Sequence, residues 1–240
     1  MLARNMHYVP FALPFFLAFW VLFAFVIALI EIGVLQYVFV TMGVSRRYMF
    51  TLLILSLLGS YINIPVARLP SEPVHSARVI QYFGMEWVVP MMVNSPGTVI
   101  AVNVGGAIIP TALSLYLIFR HRLFLLAPVA VAIVTVIIHL MAHPVPGVGI
   151  AVPIFIPPLI TALVALTLSR QRAAPLAYIA GSLGTLLGAD LLNLDKIGGL
   201  GAPVASIGGA GKFDGIFLTG LVAVLIAGIF GGSHRAPRQW

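Results

Sequence analysis

The chain contains no cysteine, so disulfides, thiolate metal sites and cysteine nucleophiles are excluded. Charge is also scarce. Only 8% of the 240 residues are charged and 61% are hydrophobic, whereas a soluble domain carries roughly 25% charged residues. Six residues are acidic and 13 are Lys or Arg, for a formal net charge of +7. Most of these basic residues sit in pairs at the ends of apolar runs, where they set orientation across a bilayer, so no nucleic-acid partner is expected. Heptads, tandem repeats and low-complexity tracts are missing too, which removes coiled coils and repeat solenoids.

Apolar sequence is what the chain has in abundance. A bilayer core takes about 20 apolar residues per helix, so a chain of this length has room for roughly seven spans. The expected spans are 9–30, Tyr48–Ile62, Gly105–Phe119, Leu123–Leu140, Ile154–Ser169, Ala174–Leu192 and Phe213–Phe230. Ile32 to Val44 keeps apolar residues at helical spacing and reads as a short interfacial helix. The opening run is too long for a cleavable leader and lacks a closing small-residue cleavage site. The resulting expectation is an all-α polytopic membrane protein of about seven transmembrane helices, forming a single transmembrane domain over 1–240. Its partner would be the lipid bilayer, and its oligomeric state is left open.

Two connections are long. Residues 64–104 are rich in Val, Ile, Tyr and Trp around Asn94-Ser95-Pro96-Gly97. This pattern predicts a β-hairpin with arms at Arg78–Val89 and Thr98–Val104. The second connection is the glycine-rich inter-helix loop 188–214. Arginine pairs at 46/47, 120/122, 170/172 and 235/238 fall on alternate connections. The positive-inside rule assigns that side to the cytoplasm, with the N-terminus outside and the C-terminus inside. The protein is thus expected to be integral to the cytoplasmic (inner) membrane, with the hairpin on the non-cytoplasmic face.

The stretch 188–220 holds Asp190, Asp195 and Asp214, which are three of the six acidic residues, together with both lysines, Lys196 and Lys212. Asp190 ends one expected span and Asp214 starts the next, so the two carboxylates reach similar depth on antiparallel helices. A charge at a helix centre in lipid costs about 2.5–3.5 kcal/mol on insertion scales, and a helix start offsets about 0.3–1 kcal/mol of this for an anion. Two carboxylates at close range can share one proton. That pairing serves aspartic hydrolysis, in which one group activates water and the other protonates the carbonyl. Helix capping by each aspartate is the alternative. Asn193, Gly211, Lys212 and Gly215 flank the pair as supporting residues, and Lys196 and Lys212 could instead neutralise the aspartates.

His139 and His143 stand at i, i+4 spacing, which would put both imidazoles on one helix face. The sequence between and including them is HLMAH, with Leu140 where a zinc protease has its glutamate. No metal and no cofactor are expected, and the two histidines are kept as supporting residues. Recurrent small residues at Ala177, Gly181, Gly184 and Gly188 predict a central, tightly packed sixth span. GGAGKF lacks the spacing of a phosphate-binding loop, and Ser182 in AGSLG has no partnered histidine nearby.

The segments GADLLNL (188–194) and GGAGKFDGIFLTG (208–220), with NIP at 63–65 and GGAIIP at 105–110, resemble an uncharacterised family of prokaryotic multi-span membrane proteins. More distantly, GKFDGIFLTGLVAVLIAG (211–228) is similar to the second catalytic helix of GxGD intramembrane aspartyl proteases. That resemblance implies catalytic roles for Asp190 and Asp214 and a membrane-protein or peptide substrate. The chain departs from the motif at Phe213, where the family has glycine, and at Ala189, where it has tyrosine. The leading expectation is an intramembrane aspartyl-type protease. The alternatives are a transporter or channel, with Asp190 and Asp214 as an ion or proton site, and a non-catalytic assembly protein.

Overall fold

The computed structural model describes residues 20–22, 24, 40, 42–70, 73–82, 85–94, 97–145, 149–198, 200, 202–209 and 215–231. Most of the expected first span, most of the interfacial segment that follows it, and the C-terminal tail lie outside the described residues. Helix α1 spans Arg46–Gly59. It leads into strands β1 (Asn63–Arg68), β2 (Pro73–Tyr82), β3 (Met85–Asn94) and β4 (Val99–Asn103). A π-helical turn over Val104–Ile108 then opens α2 (Ile109–His121), and α3 (Leu126–Met141) follows. Next come β5 (His143–Val145), β6 (Gly149–Ala151), α4 (Ile156–Leu168) and α5 (Ala173–Thr185). The last elements are β7 (Val204–Ile207) and α6 (Gly215–Phe230).

The expected all-α architecture of about seven membrane spans is corrected on two counts. First, two helical stretches among the described residues, Val104–His121 and Arg170–Lys196, are long and apolar enough to cross a membrane, while Leu126–Met141, Ile156–Leu168 and Thr219–Phe230 are shorter. Local chemistry bounds them: Pro157 and Pro158 sit in the first turn of α4, where proline is tolerated, and His143-Pro144 cannot continue α3. Second, the described residues form three small sheets, β1-β4-β7, β2-β3 and β5-β6. The chain is thus helical with β elements gathered in its long connections.

The hairpin is also displaced from its expected position. Its strands are Pro73–Tyr82 and Met85–Asn94, with Pro73 opposite Asn94 and Tyr82 opposite Met85. The stretch Arg78–Val89 therefore contains the turn instead of forming one arm. The register leaves two residues between the arms, the favoured hairpin length. Strand β4 pairs antiparallel with β1, with an irregularity between Pro65 and Ala67, and parallel with β7. Thr98 Oγ1 donates to the Ala202 carbonyl at 2.8 Å, tying the strand starts together.

Helix α5 is the central element. Of its 13 residues all but Leu183 are buried, and it packs against α2, α3, α4 and α6. Small residues make this possible, as the sequence pattern predicts. A Cβ on Gly188 would stand 2.5 Å from the Thr135 carbonyl oxygen of α3, and one on Gly181 would stand 3.1 Å from Gly220 Cα of α6. Backbones meet directly at these points. The surrounding helices present large apolar residues outward, including Leu115 and Phe119 on α2, Ile133 and Val136 on α3, and Leu159 and Leu163 on α4. The Arg170–Lys196 stretch is 72% buried, as the core helix of any protein is, but Val104–His121 is only 39% buried. An exposed apolar helix face of this kind points to association with a membrane.

Candidate functional site

Beyond Thr185, α5 changes pitch. It passes through a π-helical turn over Leu186–Asp190 and then a 3-10 helix over Leu191–Lys196. Pitch changes of this kind free backbone groups and concentrate at functional sites. Asn193, fully buried, takes up the freed groups. Its Nδ2 donates to the carbonyls of Gly188 at 2.8 Å and Ala189 at 3.0 Å, and its Oδ1 accepts from Lys196 Nζ at 2.7 Å. The amide thereby links the end of the helix to a solvent-exposed ammonium group.

Asp190 closes the π turn, partly buried, and its Oδ2 accepts the Gly208 N–H at 2.7 Å. Gly208 has φ +95, and a Cβ there would stand 2.6 Å from Ala107 N, so only glycine suits the position. Ala107 belongs to the other π turn and packs with Leu186 and Ile216. The carboxylate thus latches the loop after β7 onto the two π turns. Above this latch Asn103, fully buried, donates through Nδ2 to the Ser60 carbonyl at 2.7 Å and to Asn63 Oδ1 at 3.0 Å. Its Oδ1 accepts from Gly106 N at 2.8 Å, and Ser206 Oγ donates to Asn63 Oδ1 at 2.5 Å. The three-stranded sheet and the break in α5 therefore share one continuous polar layer.

A set of buried hydroxyls lies in the helical core around α5. Thr135 Oγ1 (α3), Thr161 Oγ1 (α4), Ser182 Oγ and Thr185 Oγ1 (α5), together with Nδ1 of His139, are buried and make no hydrogen bond among the described residues. The alternative open to a helical hydroxyl is visible at Thr167, whose Oγ1 donates to the carbonyls of Leu163 at 3.0 Å and Val164 at 2.9 Å. The residues that carry these groups border the close contacts of α5 and the π turn that follows it. A Cβ on Gly220 would meet Ser182 Oγ at 2.6 Å, one on Gly181 would meet Thr161 Cγ2 at 3.2 Å, and one on Gly188 would meet the His139 N at 3.2 Å. A buried donor or acceptor left unmade costs about 1–3 kcal/mol, so the positions are expensive for a purely structural core.

The sites expected from sequence are distributed unevenly over this arrangement. Asp190 and Asn193 sit in the polar layer. Gly211, Lys212 and Asp214 lie outside the described residues, while Gly215 begins α6. Ile216, in the first turn of α6, belongs to one buried cluster with Ala107 and Leu186, so the start of α6 and the turn that ends at Asp190 share the Val104–Ile108 turn as a neighbour. His139 and His143 do not share a helix face, contrary to expectation. Helix α3 ends at Met141, and His143 lies exposed in β5 with Nδ1 3.0 Å from the Met141 carbonyl. The proline that follows His143 disfavours helical backbone there. Among the described residues no group of three or more His, Asp or Glu is placed to hold a metal ion.

Sequence reasoning missed the Asn103–Asn63–Ser206 cluster and the set of buried hydroxyls. A signal for the second existed in Ser182 and Thr185, which fall at i and i+3 on one helix. The model of a family described as "Protein of unknown function (DUF1614)" matches residues 57–226, which takes in every element from the last turn of α1 to most of α6. No curated protein and no solved structure matches the chain.

Proposed function

We propose that this chain, which belongs to the DUF1614 family, is a multi-pass protein of the cytoplasmic membrane that moves protons, with Asp190 as the titrating group. The observation that carries the reading is the set of buried hydroxyls on α5 and on the helices packed against it that make no hydrogen bond among the described residues, in the same helix whose π turn closes with the aspartate. Thirteen α-helical residues and five in the π turn extend about 27 Å at 1.5 Å per residue, close to the ~30 Å hydrocarbon core. Close packing argues for a proton over a larger cargo. At Gly181, Gly184 and Gly188 neighbouring helices stand too close to α5 and its π turn for even an added Cβ to fit without displacement, whereas a proton needs only successive donors and acceptors. Broken helices with an ionisable residue at the break mark ion sites in membrane transporters. The arginine turns would face the cytoplasm and the sheet would face outward.

The test is proton flux into liposomes reconstituted with the purified protein, driven by a potassium-diffusion potential and read with an internal pH dye. The wild type is expected to acidify the lumen, and Asp190→Asn to slow acidification at least about tenfold, as loss of a proton-transfer group does. Equal rates for wild type, Asp190→Asn and protein-free liposomes would overturn the reading.

One observation favours a second reading, the aspartyl hydrolase. Ile216, two residues after Asp214 in sequence, shares a buried cluster with Ala107 and with Leu186 of the turn that ends at Asp190. Under this reading Asp190 and Asp214 share a proton and act on a helical membrane peptide. Cleavage of such a peptide by wild type, Asp190→Ala and Asp214→Ala separates the two functions, and identical product yields from all three would remove the hydrolase.

A further inference from the structure

Four arginines sit in two turns at the end of the bundle opposite Asp190. Arg120 and Arg122 flank the end of α2, and Arg170 and Arg172 form the 3-10 turn that leads into α5. All four are exposed. The two turns touch, because Arg172 Nη1 donates to the His121 carbonyl at 3.4 Å. Two further chain segments converge there. His121 Nε2 lies 2.6 Å from the Met42 carbonyl oxygen, which brings the entry to α1 alongside. Gly231, just past α6, approaches the Arg170 carbonyl, which a Cβ on that glycine would meet at 3.2 Å.

Asp190 and Asp195 lie at or beyond the far end of α5 and neutralise none of this charge. The first turn of α5 also points its free N–H groups at the same surface. Around the arginines stands an exposed apolar collar. Tyr48 is 69% exposed, Phe119 68%, Leu125 85% and Phe230 70%. Phe119 and Phe124 stack edge to face at 5.6 Å across the α2–α3 turn. Aromatic residues at this level, with apolar helix faces running away from it, match the boundary between headgroups and acyl chains. A nucleic acid or a soluble anion would use the guanidinium groups but has no use for the collar.

We propose that this end of the protein binds the headgroup of an anionic phospholipid. Guanidinium groups of Arg120, Arg170 and Arg172 would grip the phosphate oxygens, for which their planar donor forks are suited, and the acyl chains would lie along the apolar collar. The proposal rests on the membrane location given under the preceding heading but not on proton movement.

The test is native mass spectrometry of the detergent-solubilised full chain titrated with phosphatidylglycerol or phosphatidylcholine of equal chain length. Phosphatidylglycerol is expected to bind at least about tenfold more tightly. Each of Arg120→Gln and Arg172→Gln should weaken it about fivefold, the equivalent of one surface cation near an anionic headgroup. Arg120→Lys should keep most of the affinity. Arg68→Gln, on β1 in the sheet at the opposite end, should leave it unchanged. Glycerol phosphate at millimolar concentration should fail to compete. Equal affinity for the two lipids, an equal effect of Arg68→Gln, or efficient competition by glycerol phosphate would overturn the proposal. Failure of the membrane reading is distinguishable, because the protein would then stay monodisperse without detergent or lipid.

Discussion

At the scale of single residues, Asn193 and Gly208 set how the end of α5 is finished. The Asn193 amide spans two carbonyls and an ammonium group from a fully buried position. Asn193→Ala deletes these bonds and strands the Gly188 and Ala189 carbonyls, so a loss of about 2–3 kcal/mol is expected. Asn193→Asp should cost more, since a carboxylate oxygen would then face the two carbonyls. Denaturant unfolding in micelles measures both, and an unchanged midpoint for Asn193→Ala would refute the bridging role. Gly208→Ala forces a side chain to φ +95 against Ala107 N and is expected to cost about 1–3 kcal/mol in the same assay; a wild-type midpoint would show that the loop can move aside. Asp190→Asn keeps an oxygen for the Gly208 N–H. That substitution should therefore fold normally, which makes it the cleaner variant for flux, while Asp190→Ala removes the latch. Asp190 and Asn193 were legible in the sequence because a polar residue in an apolar run stands out. Asn103, Asn63 and Ser206 were not, because their meeting depends on the pairing of β1, β4 and β7 across long sequence separations.

At the scale of elements, the helices follow the apolar runs to within a few residues, and Arg pairs, prolines and glycines mark their ends. Helix α5 was legible as the central helix from its small residues alone. The β elements were misread where turn signals competed. Asn94 to Gly97 carries the stronger turn chemistry in the sequence, yet the observed pairing joins Pro73–Tyr82 with Met85–Asn94, which uses the longer complementary arms. The buried hydroxyls gave no motif, because serine and threonine in apolar helices usually bond back to their own backbone, as Thr167 does. That difference makes a prediction. Thr161→Val and Ser182→Ala remove hydroxyls that have no hydrogen bond among the described residues, so each should be neutral or stabilising by about 1 kcal/mol in denaturant unfolding. Both should nevertheless lower proton flux about tenfold. A destabilisation above about 1 kcal/mol would mean that the hydroxyl is bonded, and unchanged flux would take the residue out of the pathway.

At the scale of the whole molecule, the distribution of polarity has two ends and a middle. Arginine-bearing turns and an aromatic collar occupy one end, and the sheet with the Asp190 layer occupies the other. Between them, exposed Leu, Ile and Val cover α2, α3 and α4. The arrangement implies that the two ends face different aqueous compartments if the protein lies in a bilayer, and the absence of cysteine allows a clean test. Gln171, exposed in the arginine turn before α5, and Pro203, exposed just before β7, each accept a cysteine at the surface. In intact cells or right-side-out vesicles, a membrane-impermeant maleimide should label Pro203→Cys. Gln171→Cys should react only after the membrane is opened, because the positive-inside rule retains the arginine turns in the cytoplasm. Each variant should also retain wild-type folding, since neither side chain is buried. The reverse labelling pattern would invert the orientation and put Asp190 on the cytoplasmic side, which would also reverse the sense of the proposed proton entry. Equal labelling of both positions without permeabilisation would mean that the two ends share a compartment, and the multi-pass arrangement would then fall together with the proton pathway that depends on it.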